Sequence, residues 1–294
     1  MKTNNIKTSL LHLFSMIVFI STAFSQADNS KTGNHVKQGA KQPQSNFIHF
    51  FPDTALATLV AEKQNKEITD KVTAKELASI KGEFQVAGER VLSLKGIGYL
   101  IGLDSLSTYK NEVTTLPGEI GRLKNLVWLD LTKAFELKTI SPQIGKLRKL
   151  KKLALAQTEV KVIPTEICNL TNLQTLLLCC NNLTSIPKEI GNLKNLTELD
   201  IHSNSVKTLP DEICDLTSLT SLDVSYCDLT QLPHNIGNLK QLQTLNLFSN
   251  DLKYLPKSII HLDNLSSLNV YDNYELSEGY KKYLPKLLRT KKAK

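Results

Sequence analysis

Apolar residues recur at a fixed spacing through residues 103–276, in the pattern L-x-x-L-x-L-x-x-N-x-L. One copy is Leu219, Leu222, Val224, Cys227 and Leu229, and the next is Leu242, Leu245, Leu247, Asn250 and Leu252. Copies begin at Leu103, Leu126, Leu150, Leu173, Leu196, Leu219, Leu242 and Leu265. The step is 23 residues, apart from one extra residue in the loop 132–136. Alternation in the L-x-L core predicts a short strand, with Leu245 and Leu247 pointing inward and Asn246 and Phe248 outward. The residue that ends the motif turns the chain. Its side chain is expected to bond backbone groups that the turn would leave unsatisfied. That ladder reads Asn111, Ala134, Thr158, Asn181, Asn204, Cys227, Asn250 and Asn273, with Ala134 its weak rung. A second half follows in most copies, as in Leu209-Pro210-Asp211-Glu212-Ile213. The Leu-Pro step predicts an extended turn and then a short helical return.

Four apolar columns held in phase over eight copies resemble the leucine-rich repeat. The resemblance implies an α/β fold: a right-handed solenoid, or horseshoe, with a parallel concave sheet and short helical convex turns. No copy buries its leucines alone, so stability comes from stacking and both ends need caps.

The flanks read differently. Residues 1–25 have a basic start (Lys2, Lys7), an apolar run over 10–24 and the small-x-small site Ala23-Phe24-Ser25, the pattern of a cleaved secretory leader. Residues 26–46 are polar and read as a flexible linker. Residues 47–102 predict a helical N-terminal cap. Asp53 is placed to cap a helix carrying Leu56, Leu59 and Val60, and Thr73-Ala74-Lys75-Glu76 is a capping box. Arg90-Val91-Leu92-Ser93-Leu94 alternates like a strand that feeds the array. In residues 277–294, Tyr280, Tyr283, Leu284, Leu287 and Leu288 are expected to close the last coil ahead of a basic tail.

The runs FPDTALA, EITDKVTAKEL and VAGERVLSLKGIGYLIGLDSL, from Phe51 to Leu106, are similar to the N-terminal cap of the internalins, secreted bacterial virulence proteins. That resemblance implies secretion and a host cell-surface protein as partner. The array departs from it. Its repeats are one residue longer than is usual for internalins, no immunoglobulin-like segment follows them, and the convex half LPKEIGNLKNL is similar to the wider Leu-Pro-x-x-Ile-Gly repeat class.

The formal net charge is +8. Lys2 and Lys7, with Lys281, Lys282, Lys286, Arg289, Lys291, Lys292 and Lys294, outweigh that total, so the repeat body is near neutral. This argues against a nucleic-acid surface and leaves polyanion contact to the tail. The leader's apolar run is too short to span a bilayer comfortably, so the mature chain is expected to carry no integral membrane segment. Of five cysteines, Cys168 and Cys214 sit two coils, roughly 10 Å, apart, too far for a disulfide. Free, buried thiols are expected.

Candidate contacts lie where the columns vary. Tyr226, Phe248 and Tyr271 gather on the last three coils, with Phe248 and Tyr271 placed as direct neighbours, beside a polar column of Asp200, Asp223, Asn246 and Asn269. Solvent-facing aromatics on a rigid sheet are typical binding anchors. Trp128, with Lys151 and Lys152, forms a second patch, and His202 lies between the two. Cys179, Cys180 and His202 also suggest a metal or thiol site. That reading fails on spacing, because adjacent cysteines in a strand diverge and no second histidine or nearby acid completes the set. No phosphate loop or catalytic motif is present. The expected function is therefore a secreted protein-binding module with no catalytic residues, metal or cofactor. A structural envelope protein, self-associating or holding surface polymer through its tail, is the alternative.

Overall fold

A computed structural model describes residues 42–282, except 87 and 89. The expected leader, all but the last residues of the linker, the closing residues Tyr283, Leu284, Leu287 and Leu288, and the basic side chains from Lys281 onward lie outside the described residues. Among the described residues, no helix is long and apolar enough to cross a membrane.

Nine parallel strands form one sheet in chain order: β1 (Gly82–Gln85), β2 (Leu103–Ser107), β3 (Trp128–Asp130), β4 (Lys152–Ala154), β5 (Thr175–Leu177), β6 (Glu198–Asp200), β7 (Ser221–Asp223), β8 (Thr244–Asn246) and β9 (Ser267–Asn269). Leu222 stands opposite Leu199 and Leu245, so each coil's leucines cover the next coil's. Trp128 stands opposite Lys152, one residue beyond the usual step. The extra residue is therefore absorbed in the loop, and every strand leucine stays in register. On the convex side the chain returns through 3-10 turns such as Lys188–Asn192 and Asp211–Asp215. The proline ahead of each holds φ at −65°, and its carbonyl accepts the first turn bond, as from Ile190 N to Pro187 O at 3.0 Å.

The asparagine ladder threads this stack. The Asn204 amide donates to Leu178 O (3.0 Å) and Ile201 O (2.7 Å), while its Oδ1 accepts from Leu183 N (2.9 Å). Asn181, Asn250 and Asn273 repeat the two donations. One side chain thus satisfies its own turn and the preceding coil. Cys227 meets only part of this demand, with its sulfur 3.2 Å from Ile201 O and 3.4 Å from Ser225 O. Ala134 is buried and offers no polar group.

At the N-terminus, α1 (Phe47–Phe50), α2 (Thr54–Glu62) and α3 (Ala74–Ala78) pack Phe47, Phe51, Leu56, Val60 and Leu77 against the first coil. Ser45–Asn46, expected in the linker, pairs with Lys71–Val72 instead. The strand expected at Arg90–Leu94 is not formed, and Gly82–Gln85 takes its place. Asp53 accounts for the change. Its Oδ1 caps α2 by accepting from Leu56 N (3.0 Å), and its Oδ2 accepts from Leu92 N (2.8 Å) and Ser93 N (3.0 Å). Those amides are spent on the cap and cannot join a strand ladder. The expected capping box is present. Thr73 Oγ1 accepts from Glu76 N (3.1 Å), and the Glu76 carboxylate accepts from Thr73 N (2.7 Å). The hydrogen bond from Lys66, followed by those from Thr73, holds the Glu76 carboxyl down from 4.5 to about 2. Gly96 joins the cap to the first coil with φ +94°, and a Cβ there would strike the Phe50 carbonyl oxygen.

Asn204→Ala is expected to cost about 2–3 kcal/mol in urea unfolding, because it orphans the buried Leu183 amide and removes one of the two donors at each of the Leu178 and Ile201 carbonyls. Cys227→Asn is expected to stabilise by about 1 kcal/mol through the ladder bonds it restores. Gly96→Ala is expected to cost about 3 kcal/mol through strain and crowding, with proteolysis of the cap as a second readout. Because the Glu76 carboxyl is held low, its contribution is complete above about pH 4.5 and lost as the pH falls toward 2. Glu76→Gln should flatten the pH dependence of stability in that window.

Candidate functional site

The inward leucines leave the alternate side chains of each strand on the concave surface. Just past each strand, one residue per coil is left-handed: Lys110, Lys133, Gln157, Cys180, Ser203, Tyr226, Ser249 and Asp272, with φ from 52° to 60°. This breaks the strand's alternation. The left-handed residue faces the same side as the residue before it, so two successive side chains per coil reach the concave face.

The polar column has a double role. Asp200, Asp223, Asn246 and Asn269 each accept a hydrogen bond from the amide two residues on, at His202 (3.0 Å), Ser225 (2.9 Å), Phe248 (3.2 Å) and Tyr271 (3.2 Å). The side chain supplies the acceptor where the strand ladder has ended. These residues therefore brace the aromatic column as well as lining the face. Asn246 also donates to Asp223 Oδ2 at 2.8 Å.

Tyr226 is 52% exposed and Tyr271 76%, while Phe248 is half-buried. Phe248 and Tyr271 hold adjacent places across the ladder, as expected from the register, but their rings do not pair. The Tyr226 ring lies edge-on to Phe248 instead, with centroids 5.1 Å apart at 66°. Its left-handed backbone swings Tyr226 toward the following coil, whereas Tyr271 stands free of both rings.

Trp128 opens a second region. A shallow hollow of about 580 Å³ is lined by Trp128, Lys151, Lys152, Ala154, Leu177 and Glu198 among others. Leu177 was not singled out from sequence. Its signal is the run Leu176-Leu177-Leu178, which puts a leucine where most other copies have a polar residue. Toward the N-terminal coils the face is basic, and Lys133 Nζ donates to Tyr109 Oη at 2.9 Å. In the middle coils it is acidic, through Glu198, Asp200 and Asp223.

The expectation that Cys179 and Cys180 diverge is wrong. The ligand atoms of Cys179, Cys180 and His202 all lie within 4.8 Å of one another. Cys180 has φ 55°, so its sulfur turns to the side that Cys179 already faces. An acid is also at hand: Asp200 Oδ1 lies 2.7 Å from His202 Nδ1. All five cysteines are free thiols, as expected. Burial, and then the Asp200 charge, push the Cys179 thiol up to about 12. It is protonated near neutral pH and unsuited to act as an activated nucleophile.

Family models for the leucine-rich repeat region and the leucine-rich repeat match residues 83–182 and 171–229. A leucine-rich-repeat protein of Leptospira interrogans is 34% identical, with a TM-score of 0.62, over 68% of this chain and 54% of its own. The chain thus spans about half of that relative. Internalin C2 of Listeria monocytogenes is 26% identical, with a TM-score of 0.61, over 77% of this chain and 97% of its own. An adenylate cyclase of Schizosaccharomyces pombe is 28% identical over 105 residues, which is 35% of this chain and 6% of the cyclase. So small a share of that enzyme says nothing of its chemistry here. Repeat sequence, stacked parallel sheet and relatives agree: this chain is a leucine-rich-repeat protein of the bacterial type.

Proposed function

We propose that the chain is a secreted recognition module that binds another protein across its concave face, with a host cell-surface protein as the class of partner. Leucine-rich-repeat domains serve as protein-interaction scaffolds, and the internalin likeness favours an extracellular setting. The observation that carries the reading is the Tyr226, Phe248 and Tyr271 cluster. Two of its rings are more than half exposed; Tyr226 follows a strand paired on both sides, and Tyr271 follows the last strand, which is paired to β8. A rigid aromatic surface loses little entropy on binding, which is why such residues dominate interface energies. The hollow beside Trp128 and Leu177 offers a seat for an apolar side chain. The basic-to-acidic change along the face would set the partner's direction.

The test is capture by the immobilised full chain, beside a Tyr226→Ala, Phe248→Ala, Tyr271→Ala variant. Solubilised host cell-surface proteins and bacterial envelope extract are passed over both. The expected result is a retained host protein that the variant binds at least about 100-fold more weakly. Equal retention by both would reject this site. Envelope polymer held by both and released by salt would point to the basic tail instead.

A further inference from the structure

We propose that Cys179, Cys180 and His202 form a binding site for a soft divalent metal ion, zinc above all, with Asp200 as the residue that positions the histidine. Cys180 Sγ lies 3.6 Å from His202 Nε2. Sulfur and nitrogen ligands about 2.3 and about 2.0 Å from a tetrahedral zinc stand roughly 3.5 Å apart, so these two atoms are already spaced as two corners of the shell. Cys179 joins them because the left-handed backbone at Cys180 puts both sulfurs on one side. The contact from Asp200 to Nδ1, at 2.7 Å, fixes the ring and its tautomer and leaves the Nε2 lone pair to the metal. That carboxylate–histidine pairing recurs behind metal-bound imidazoles.

Two thiolates and an imidazole select zinc-like ions over calcium or magnesium. The thiolates neutralise the ion's charge, and loading releases two thiol protons to solvent with no change of oxidation state. A second grouping, Asp200, His202 and Asp223, would suit a harder ion. Asp223 is less available, because Asn246 and the Ser225 amide and hydroxyl already occupy its oxygens at 2.6–2.9 Å. Cys227 is committed to carbonyl contacts in the ladder, and Cys168 and Cys214 are buried. The fourth corner of the shell opens on the concave face, where water or a donor from a bound protein completes it.

The test is a cobalt titration of the full chain, stripped by chelator and kept reduced by a phosphine. One equivalent should bind, with a thiolate-to-cobalt charge-transfer band in the near ultraviolet and strong visible bands of a tetrahedral ion, and zinc should displace it. The Cys179→Ser/Cys180→Ser double variant should lose the charge-transfer band while keeping the wild-type circular dichroism. Asp200→Asn should keep the band but weaken binding about 10–100-fold. A folded wild type without the band overturns the proposal. So does an unchanged band in the double serine variant, which would place the ion on other thiols. Bandless binding abolished by Asp223→Ala would place it on the carboxylates. None of these failures touches the protein-binding reading, which is carried by the Tyr226, Phe248 and Tyr271 cluster on later coils.

Discussion

The leucines of one coil are covered by those of the next, and the backbone groups of one turn are bonded by the asparagine of its neighbour. Leu222 between Leu199 and Leu245, and Asn204 reaching Leu178 and Leu183, show the same dependence in apolar and polar form. A coil taken alone would expose its leucines and leave buried amides unsatisfied. Stability is therefore a property of the stack, and its first exposed face must be closed. The cap does this with a shared carboxylate, Asp53, which caps the start of one helix and ties down Leu92 and Ser93 in the segment that follows.

That dependence leaves the concave face free to vary, though not without structure. The strand ladder runs out just where the chain turns, so an Asp or Asn side chain supplies the missing acceptor and the next residue goes left-handed. The two devices together bring an extra side chain per coil onto the face. The same geometry that orients Tyr226 over Phe248 in one coil gathers Cys179 and Cys180 beside His202 one and two coils earlier. A surface that reads as a row of unrelated residues is organised by one repeated backbone conformation.

The repeat length, the inward leucines, the asparagine rungs, the Leu-Pro turns, the two cap helices and the free thiols were legible in the sequence. Each follows from local periodicity or from capping chemistry within a few residues. The first strand was not legible, because Arg90–Leu94 alternates as well as Gly82–Gln85 does. Only the bond from Asp53, about forty residues away, removes those amides from the sheet.

For the site, the sequence by itself determined which column each residue occupies: Phe248 with Tyr271, Tyr226 in the next column, the polar brace and Trp128 each follow from the repeat register. The tertiary structure decided which of them meet. Phe248 and Tyr271 keep adjacent places in one column, and the rings that pair are Tyr226 and Phe248. The expected divergence of Cys179 and Cys180 became convergence. Both outcomes have the same physical reason. A period-two strand rule assigns faces only while φ stays negative, and the left-handed residue that closes each coil lies beyond its reach.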